Sequence, residues 1–455
     1  MLIFTVITQT TEAMKTTTFQ VNKFRNKRSK FQTKFVKNSF TGDRLTKYAG
    51  LNPIMKYLNK MKLGEQLNNK FPTIIYNSTK FSIVQIMMSI ILGSLSGVSR
   101  FSKLSNFTAD ALVMCLLGLK KKINENAFSE RLKQLGQAGA TLLQEFIFGK
   151  VTSWLAQSRL QTITIDADSS VCTVYGNQQG AARGYNPHKK GAKSYHPIIA
   201  FASELKIVIN SWFRDGSAYT SNGICEFMKQ TLAILPQRIN KIFFRADSGF
   251  FNGELFDLLE GEGHSYLVKV KLKNLKQLLN IQKWQPASRD TAICEFEYQT
   301  KNWKKSRKLK AIRKVVKWIE APILDKIELV PLYEYACYCS NLEQDASSLH
   351  EKYKERSTSE NWIEQIKNHL LAAKTLTESF HANDIVWQLN VFAYNLSVML
   401  RKKVKKFWSQ EHNTFREWFI ELPAKIVTSG RQISMKIYQY YYFRDKWKQL
   451  AIVIA

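Results

Sequence analysis

The sequence predicts an α/β fold, and three observations carry that reading. Up to about residue 160, apolar residues recur at spacings of three and four, in Leu51 to Met61, Phe81 to Leu95, Ala109 to Leu119 and Glu125 to Phe148, which is the period of an amphipathic helix. From Gln161 the pattern changes to alternation, in TITIDAD (162–168), HPIIAFAS (196–203), KIVINSWFR (206–214), KIFFRAD (241–247) and SYLVKVK (265–271). A helical stretch, Ser221 to Leu235, parts the third run from the fourth. Three strands joined by short turns, then helix, strand, helix and strand, let the first and fourth strands lie side by side and parallel at the sheet centre.

From the N-terminus, residues 1–47 read as a basic, flexible arm that orders on DNA. Its lysines and arginines interleave with Phe19, Phe24, Phe31, Phe35 and Phe40 and face one acid after Met14, Asp43. Residues 48–160 form a helical N-terminal domain. Within it, Lys120-Lys121-Lys122 ahead of NAFSERLKQL reads either as a basic turn and recognition helix or as plain helix packing. Residues 161–271 hold the first part of an α/β core. Lysine-rich, β-prone segments over 272–340 (ICEFEYQT, KLKAIRKVVKWIE, EYACYCSNL) form a strand-built insertion; helices return over 341–406 as the second part of the core, and 407–455 closes the chain as a helical tail.

Composition narrows the partners. The chain of 455 residues is 45% hydrophobic and 12% aromatic, which excludes a disordered protein, and its net charge of +31 exceeds what solubility needs and calls for a polyanion. Lys and Arg run along the whole chain instead of one amphipathic helix or tail, which favours nucleic acid over a membrane surface. Cys115, Cys172, Cys225, Cys294, Cys337 and Cys339 form no CxxC pair and read as reduced thiols. The leading MLIFTVI is too short for a signal peptide, and serines break the apolar stretch Phe81 to Val98, so the expectation is a cytoplasmic protein with no membrane segment.

The chemistry-bearing residues are acids on apolar strands. In TITIDADSSV, Asp166 and Asp168 share one strand face while Ile163, Ile165 and Ala167 take the other. Burying unpaired carboxylates costs several kcal/mol, and a divalent metal is the usual compensation. In FFRADSGF, Asp247 ends another apolar strand, at the carboxyl edge where α/β sheets present ligand-binding groups. In YKERSTSENWIEQIK, the residues Tyr353, Arg356, Glu360 and Lys367 fall on one stripe of an ideal helix; Glu364 shares it, as on any charged surface helix. An acid between an Arg and a Lys on one face also suits a site where metal and phosphate meet. Lys189, Lys190 and Lys193 lie on a loop, Gly184 to Pro197, where they reach either DNA phosphates or solvent. His188 and His196 lack zinc spacing and read as structural, and Trp284, Trp303 and Trp318 read as core residues before base-stacking ones.

The spacing Tyr-x2-Arg-x3-Glu-x6-Lys, matched by Tyr353, Arg356, Glu360 and Lys367, resembles the signature helix of transposases of insertion-sequence family four. IDADSSVCTVYGNQQGAARGYNPHKKGAKSYHPIIAF, FFRADSGF and FHANDIVWQLNVFAYNL resemble the thirteen-eighty family within that clan. The resemblance covers roughly residues 80–400. It implies an RNase H-like mixed sheet flanked by helices and interrupted by a β-rich insertion, with a DDE triad at Asp168, Asp247 and Glu360. Asp168 is preferred because Ser169 and Ser170 follow it; Asp166 is the alternative first ligand. The resemblance further implies two Mg²⁺ ions, with Mn²⁺ as a substitute, and DNA-end contacts from Tyr353, Arg356 and Lys367. Its partners would be double-stranded DNA with terminal inverted repeats and a second copy in a synaptic homodimer, in the cytoplasm at the nucleoid. Its activity would be metal-dependent cleavage and strand transfer at the element's ends. An RNase H-like nuclease that cannot join strands and a decayed DNA-binding protein are the alternatives.

Overall fold

The structure, a computed structural model, describes residues 40–71, 81–184, 186–187, 189–219, 223–323, 326–374, 377–430 and 432–454. It divides into residues 1–43 and residues 44–455. The expected basic arm lies outside the described residues as far as position 39. Near its end lies β1 (Arg44–Thr46), which pairs antiparallel with a strand of the tail, Ala424–Ser429.

The helical start holds α1 (Leu51–Lys60), α2 (Leu63–Lys70), α3 (Ile83–Leu95), α4 (Phe101–Phe107), α5 (Ala111–Leu116) and α6 (Glu125–Ser158). α3 begins at a reciprocal cap in which Ser82 accepts from the Gln85 amide and Gln85 accepts from the Ser82 amide. Ser89 and Ser94 on α3 are buried, because each hydroxyl bonds a backbone carbonyl, of Gln85 and Leu370. The serines that break the apolar run therefore belong to a packed core helix, and among the described residues no helix is long and apolar enough to cross a membrane. α6 starts at Asn124, whose side chain caps the Ala127 amide, and breaks its helical geometry at Gly136, where φ is +55°.

The alternating runs form a mixed sheet, as the sequence predicts. Its strands are β2 (Thr162–Ser169), β6 (Ile198–Ala202), β7 (Ile207–Trp212), β8 (Lys241–Ala246), β9 (Ser265–Lys269), β10 (Gln285–Pro286), β11 (Thr291–Tyr298), β12 (Arg307–Ile323) and β13 (Lys326–Ser340). Their order is β10-β11-β12-β13-β9-β8-β2-β6-β7, with β2–β8 and β8–β9 parallel and the remaining pairs antiparallel. The first and fourth runs are thus parallel neighbours, joined by way of α7 (Ile224–Ala233); α8 (Gly253–Gly261) then leads into β9. A small sheet of β3 (Cys172–Thr173), β4 (Ala182–Arg183) and β5 (Lys193–Tyr195) orders the segment between β2 and β6.

The strand-rich segment after β9 continues the same sheet, beyond the short α9 (Leu275–Asn280). Helices follow it: α10 (Ala346–Lys354), α11 (Ser357–Glu364), a π-helical turn Gln365–His369, and α12 (Phe380–Lys402). α12 is buried on nearly every face and packs on α3, α6 and β7. There Asn395 closes the outer edge of the sheet, accepting from the Val208 amide and donating to the Val208 carbonyl, both at 2.8 Å.

The tail corrects the all-helical expectation. It holds α13 (Lys405–Trp408), α14 (His412–Phe415), a π-helical turn Arg416–Ile420 and α15 (Arg444–Ile454), but also the hairpin β14 (Ala424–Ser429) and β15 (Gln432–Ile437). Two β-prone runs, KIVTS and QISMKI, flank Gly430, whose φ of +57° makes the reversal. That sequence signal outweighs the helical spacing of the residues around it.

Candidate active site

Adjacent parallel strands place the first two acids. Ala167 on β2 pairs with Ala246 on β8, and the residue after each is an aspartate, so Asp168 and Asp247 stand together at the carboxyl ends of the two strands. Asp247 caps a short turn, accepting from the Gly249 amide at 3.0 Å. Asp168 accepts from the Ser169 amide at 2.8 Å and from Arg356 Nη2 at 2.7 Å.

The neighbouring position serves a different end. Asp166 lies opposite Arg245 in the β2–β8 register, and its side chain is wholly buried. Arg245 Nε and Nη2 donate to its two oxygens at 2.8 and 3.0 Å, and the Ser203 hydroxyl donates to it as well. Arg245 Nη1 then reaches the Lys352 carbonyl and Glu355 on α10 and the turn after it. Asp166 and Asp168 share a strand face, yet Asp166 is committed to a buried bidentate ion pair and lines no part of the cavity where Asp168 opens.

The third acid arrives from the region of the four-residue motif, but not on one unbroken helix. α10 ends at Lys354, and tight bonds from the Arg356 amide to the Tyr353 carbonyl and from the Ser359 amide to the Arg356 carbonyl turn the chain into α11. The Thr358 and Ser359 hydroxyls back-bond to the Glu355 and Arg356 carbonyls and hold that turn. Past Glu364 the π turn advances each residue by less than an α-helix does, so Lys367 leaves the stripe. Tyr353, Arg356 and Glu360 line the cavity with Asp168 and Asp247; Lys367 does not, and its charge instead reaches the buried Cys172 thiol.

This cavity, about 1110 Å³, lies between the strand ends and the inserted strands. Arg356, 4% exposed, bridges Asp168 and, at 3.2 Å from Nη1, Glu360, and its Nε finds no acceptor. Burial pushes Asp168 up to about 6; Arg356 opposes the rise, while Asp247 and Glu360 add to it. The Tyr353 phenol is raised to about 12, by burial first and by the same three acids against Arg356. His196, buried with an unpartnered Nδ1, is held below its ordinary value by burial and Arg214 against the pull of Asp247.

The donor set fits a hard divalent cation: carboxylate oxygens only, mutually repelling, with one guanidinium as their counter-charge. Convergence is incomplete. Among the described residues no three His, Cys, Asp or Glu side chains stand close enough to hold one ion, because Arg356 sits between Asp168 and Glu360. Glu360, with 63% of its side chain exposed, is free to turn from Arg356 toward the aspartates.

Other predicted residues lie elsewhere. Lys189 rests over the Tyr175 ring, Lys190 is exposed, and Lys193 bonds Asn177; none lines the cavity, and His188 lies outside the described residues. Trp303 is buried against Phe251, Phe256 and Arg307, Trp284 is half-buried under Arg313, and Trp318 is exposed. The sequence reading missed Lys269, Lys314 and Lys354, three cations that the topology brings to the cavity wall from β9, β12 and α10. No local motif surrounds them; only the strand order assembles them.

The model of the family Transposase DDE domain group 1 matches residues 28–455. Among solved structures, a piggyBac transposase synaptic complex with hairpin DNA is 12% identical, covering 83% of this chain and 81% of that one with a TM-score of 0.45. The Mos1 mariner paired end complex with Mn is 11% identical, covering 47% of this chain and 75% of that one with a TM-score of 0.16. No curated protein matches.

Proposed function

The chain belongs to the family Transposase DDE domain group 1 and is an enzyme of DNA transposition, and we propose that Asp168, Asp247 and Glu360 are the acids with which it cuts and joins DNA at the ends of an insertion sequence. One observation supports this above the others. Three carboxylates distant in the chain, on β2, after β8 and on α11, line one cavity together with a buried arginine and three lysines.

Transposases of the DDE type use divalent metals; magnesium, and two ions, are our proposal here, with manganese as substitute. Bound at these acids, the ions would lower the pKa of the attacking water or 3′-hydroxyl and stabilise the departing oxyanion. The residues of the chain do the rest. Lys269, Lys314 and Lys354 offer point charges to the DNA backbone along the cavity wall. Arg356 holds Asp168 and Glu360 in the resting site, and on release its fork is free for a DNA phosphate. Tyr353 flanks the scissile position, while Lys367, Lys189, Lys190 and Lys193 would touch the duplex outside the cavity. Water first attacks the phosphodiester and leaves a 3′-hydroxyl; that hydroxyl then attacks target DNA and displaces a second strand's 3′-oxygen. No enzyme-bound intermediate is required, and Ser248 carries no assigned role.

The assay for this reading uses labelled duplexes of the terminal inverted repeats that flank the reading frame. The expected product is labelled end DNA covalently joined to a target plasmid. Cleavage without joining would make the protein a nuclease, and binding without cleavage a decayed element. The active assembly is proposed to be a homodimer on paired ends.

The raised Asp168 gives a pH prediction. Its carboxyl takes a proton as pH falls through about 6, and that proton must leave before a cation binds. The Mg²⁺ concentration giving half-maximal thermal stabilisation is therefore flat above pH 7 and rises by about tenfold per unit well below pH 6. A metal titration unchanged from pH 5 to pH 8 removes Asp168 from the metal site.

A further inference from the structure

The sheet edge that carries the first two acids continues past them. β2, β8 and β9 are parallel neighbours, so their carboxyl ends lie side by side. Ala246 pairs with Val268, and the next residue is Asp247 on one strand and Lys269 on the other. From there the chain leaves the edge through Lys271 and Lys273, enters α9 with Lys276, and runs on to Lys283 and Arg289. Between Gly263 and Arg289 the sequence holds these six cations and no acid, in a chain of 67 cations to 36 acids.

Lys271, Lys273, Lys276, Lys283 and Arg289 are exposed, and among the described residues none of them makes an ion pair. Elsewhere in the insertion lysines do find acids: Lys305 meets Glu260, and Lys308 and Lys310 meet Glu295. Like charges gathered without counter-ions repel one another, and a polyanion relieves that repulsion.

The sheet parts this surface from the helices of the four-residue motif. Tyr335 and Tyr338 stand three residues apart on β13 and take opposite faces. α10 lies on the Tyr338 face, where that ring meets Tyr353 at 4.9 Å and the His350 ring bonds its hydroxyl at 2.7 Å. Trp284, which follows α9 and donates to the Leu279 carbonyl, lies on the Tyr335 face, with the two rings 5.8 Å apart.

Joining brings two duplexes to one set of acids, and their phosphates repel, so the two approach from different sides. We propose that the element's end lies along the α10–α11 side and that Lys271, Lys273, Lys276 and Lys283 hold the backbone of the target duplex on the α9 side. All four are lysines, point charges that grip phosphate without selecting a sequence. The inference rests on the joining reaction proposed above and gives its second DNA a place.

The test uses full-length protein saturated with unlabelled, pre-cut end duplex in the absence of divalent metal. Labelled duplex free of the repeats is then titrated in, and its binding is followed by anisotropy at several salt concentrations. Changing Lys271, Lys273, Lys276 and Lys283 together to Gln weakens this second duplex by about tenfold or more, and flattens its log–log salt slope by about 0.9 for each lysine engaged. Affinity for the end duplex alone stays within about twofold. A control variant loses the same charge from exposed lysines on α1, α4 and α7, by Lys56→Gln, Lys60→Gln, Lys103→Gln and Lys229→Gln, and holds the second duplex within about twofold of wild type. A wild type that takes up no second duplex, an α9 variant that binds it undiminished, an equal loss in the control, or a loss of end binding overturns the target surface. A wild type that binds the second duplex but never joins it when metal is added overturns the joining reading, and the four lysines then mark a second DNA site.

Discussion

Asp168→Asn lowers metal-dependent cleavage of labelled element ends by about three orders of magnitude or more, and Asp247→Asn and Glu360→Gln do the same. The size follows from what an ion-binding carboxylate contributes to the transition state, several kcal/mol, at about 1.4 kcal/mol per factor of ten. The fold should survive each change. Asp168 is lifted toward protonation by its burial and by the neighbouring acids against the pull of Arg356, and a neutral amide of the same shape keeps a carbonyl oxygen that accepts from that guanidinium. Asp247 ends a strand at a turn, and Glu360 is mostly in solvent. The control is thermal: added Mg²⁺ raises the unfolding temperature of wild type by mass action and leaves that of the variants unmoved. A variant that keeps cleavage loses its place in the triad.

Much of this site was legible because its residues offend the elements that carry them. Aspartates in apolar strands, and an acid between cations on a helix, are costly unless chemistry repays them, and both stand out by periodicity alone. Alternation also gave the central pair of parallel strands, since a change from period 3.6 to period 2 marks strands at any sequence distance. The ion pair that sets Asp166 apart from Asp168 was harder to read. Its signal was Arg245, a second charge in an apolar strand two residues before Asp247, which only the β2–β8 register matches to Asp166. The break at Arg356 and the π turn at Gln365 were not legible, because hydroxyl back-bonds and one extra residue per turn leave no trace in an apolar period. The hairpin at Gly430 was legible and outweighed: its short runs sit among aromatic residues that also suit a helix. The cavity lysines belong to topology, which no local pattern encodes.

Asp166→Ala separates the two aspartates by stability in place of activity. Removing one partner of a buried ion pair strands the other, at a cost of about 3 to 5 kcal/mol. Here Arg245 would keep only Glu355, a mostly exposed carboxylate, and the Lys352 carbonyl against a full charge 4% exposed. Chemical denaturation of Asp166→Ala should show that loss, and pairing it with Arg245→Met should return much of it. The stranded guanidinium is then gone, and an apolar chain of similar length fills the site between β2, β8 and α10. The coupling between the two positions should reach about 2 kcal/mol, near the upper part of the range for residues in direct contact. Because this pair braces β2 against β8 and α10 without entering the cavity, the double variant should still gain thermal stability from Mg²⁺. The opposite pattern, an Asp166→Ala protein that unfolds like wild type but no longer responds to the metal, would hand Asp166 the place assigned to Asp168. The buried arginine would then be a counter-ion that metal displaces, and Arg356 the brace.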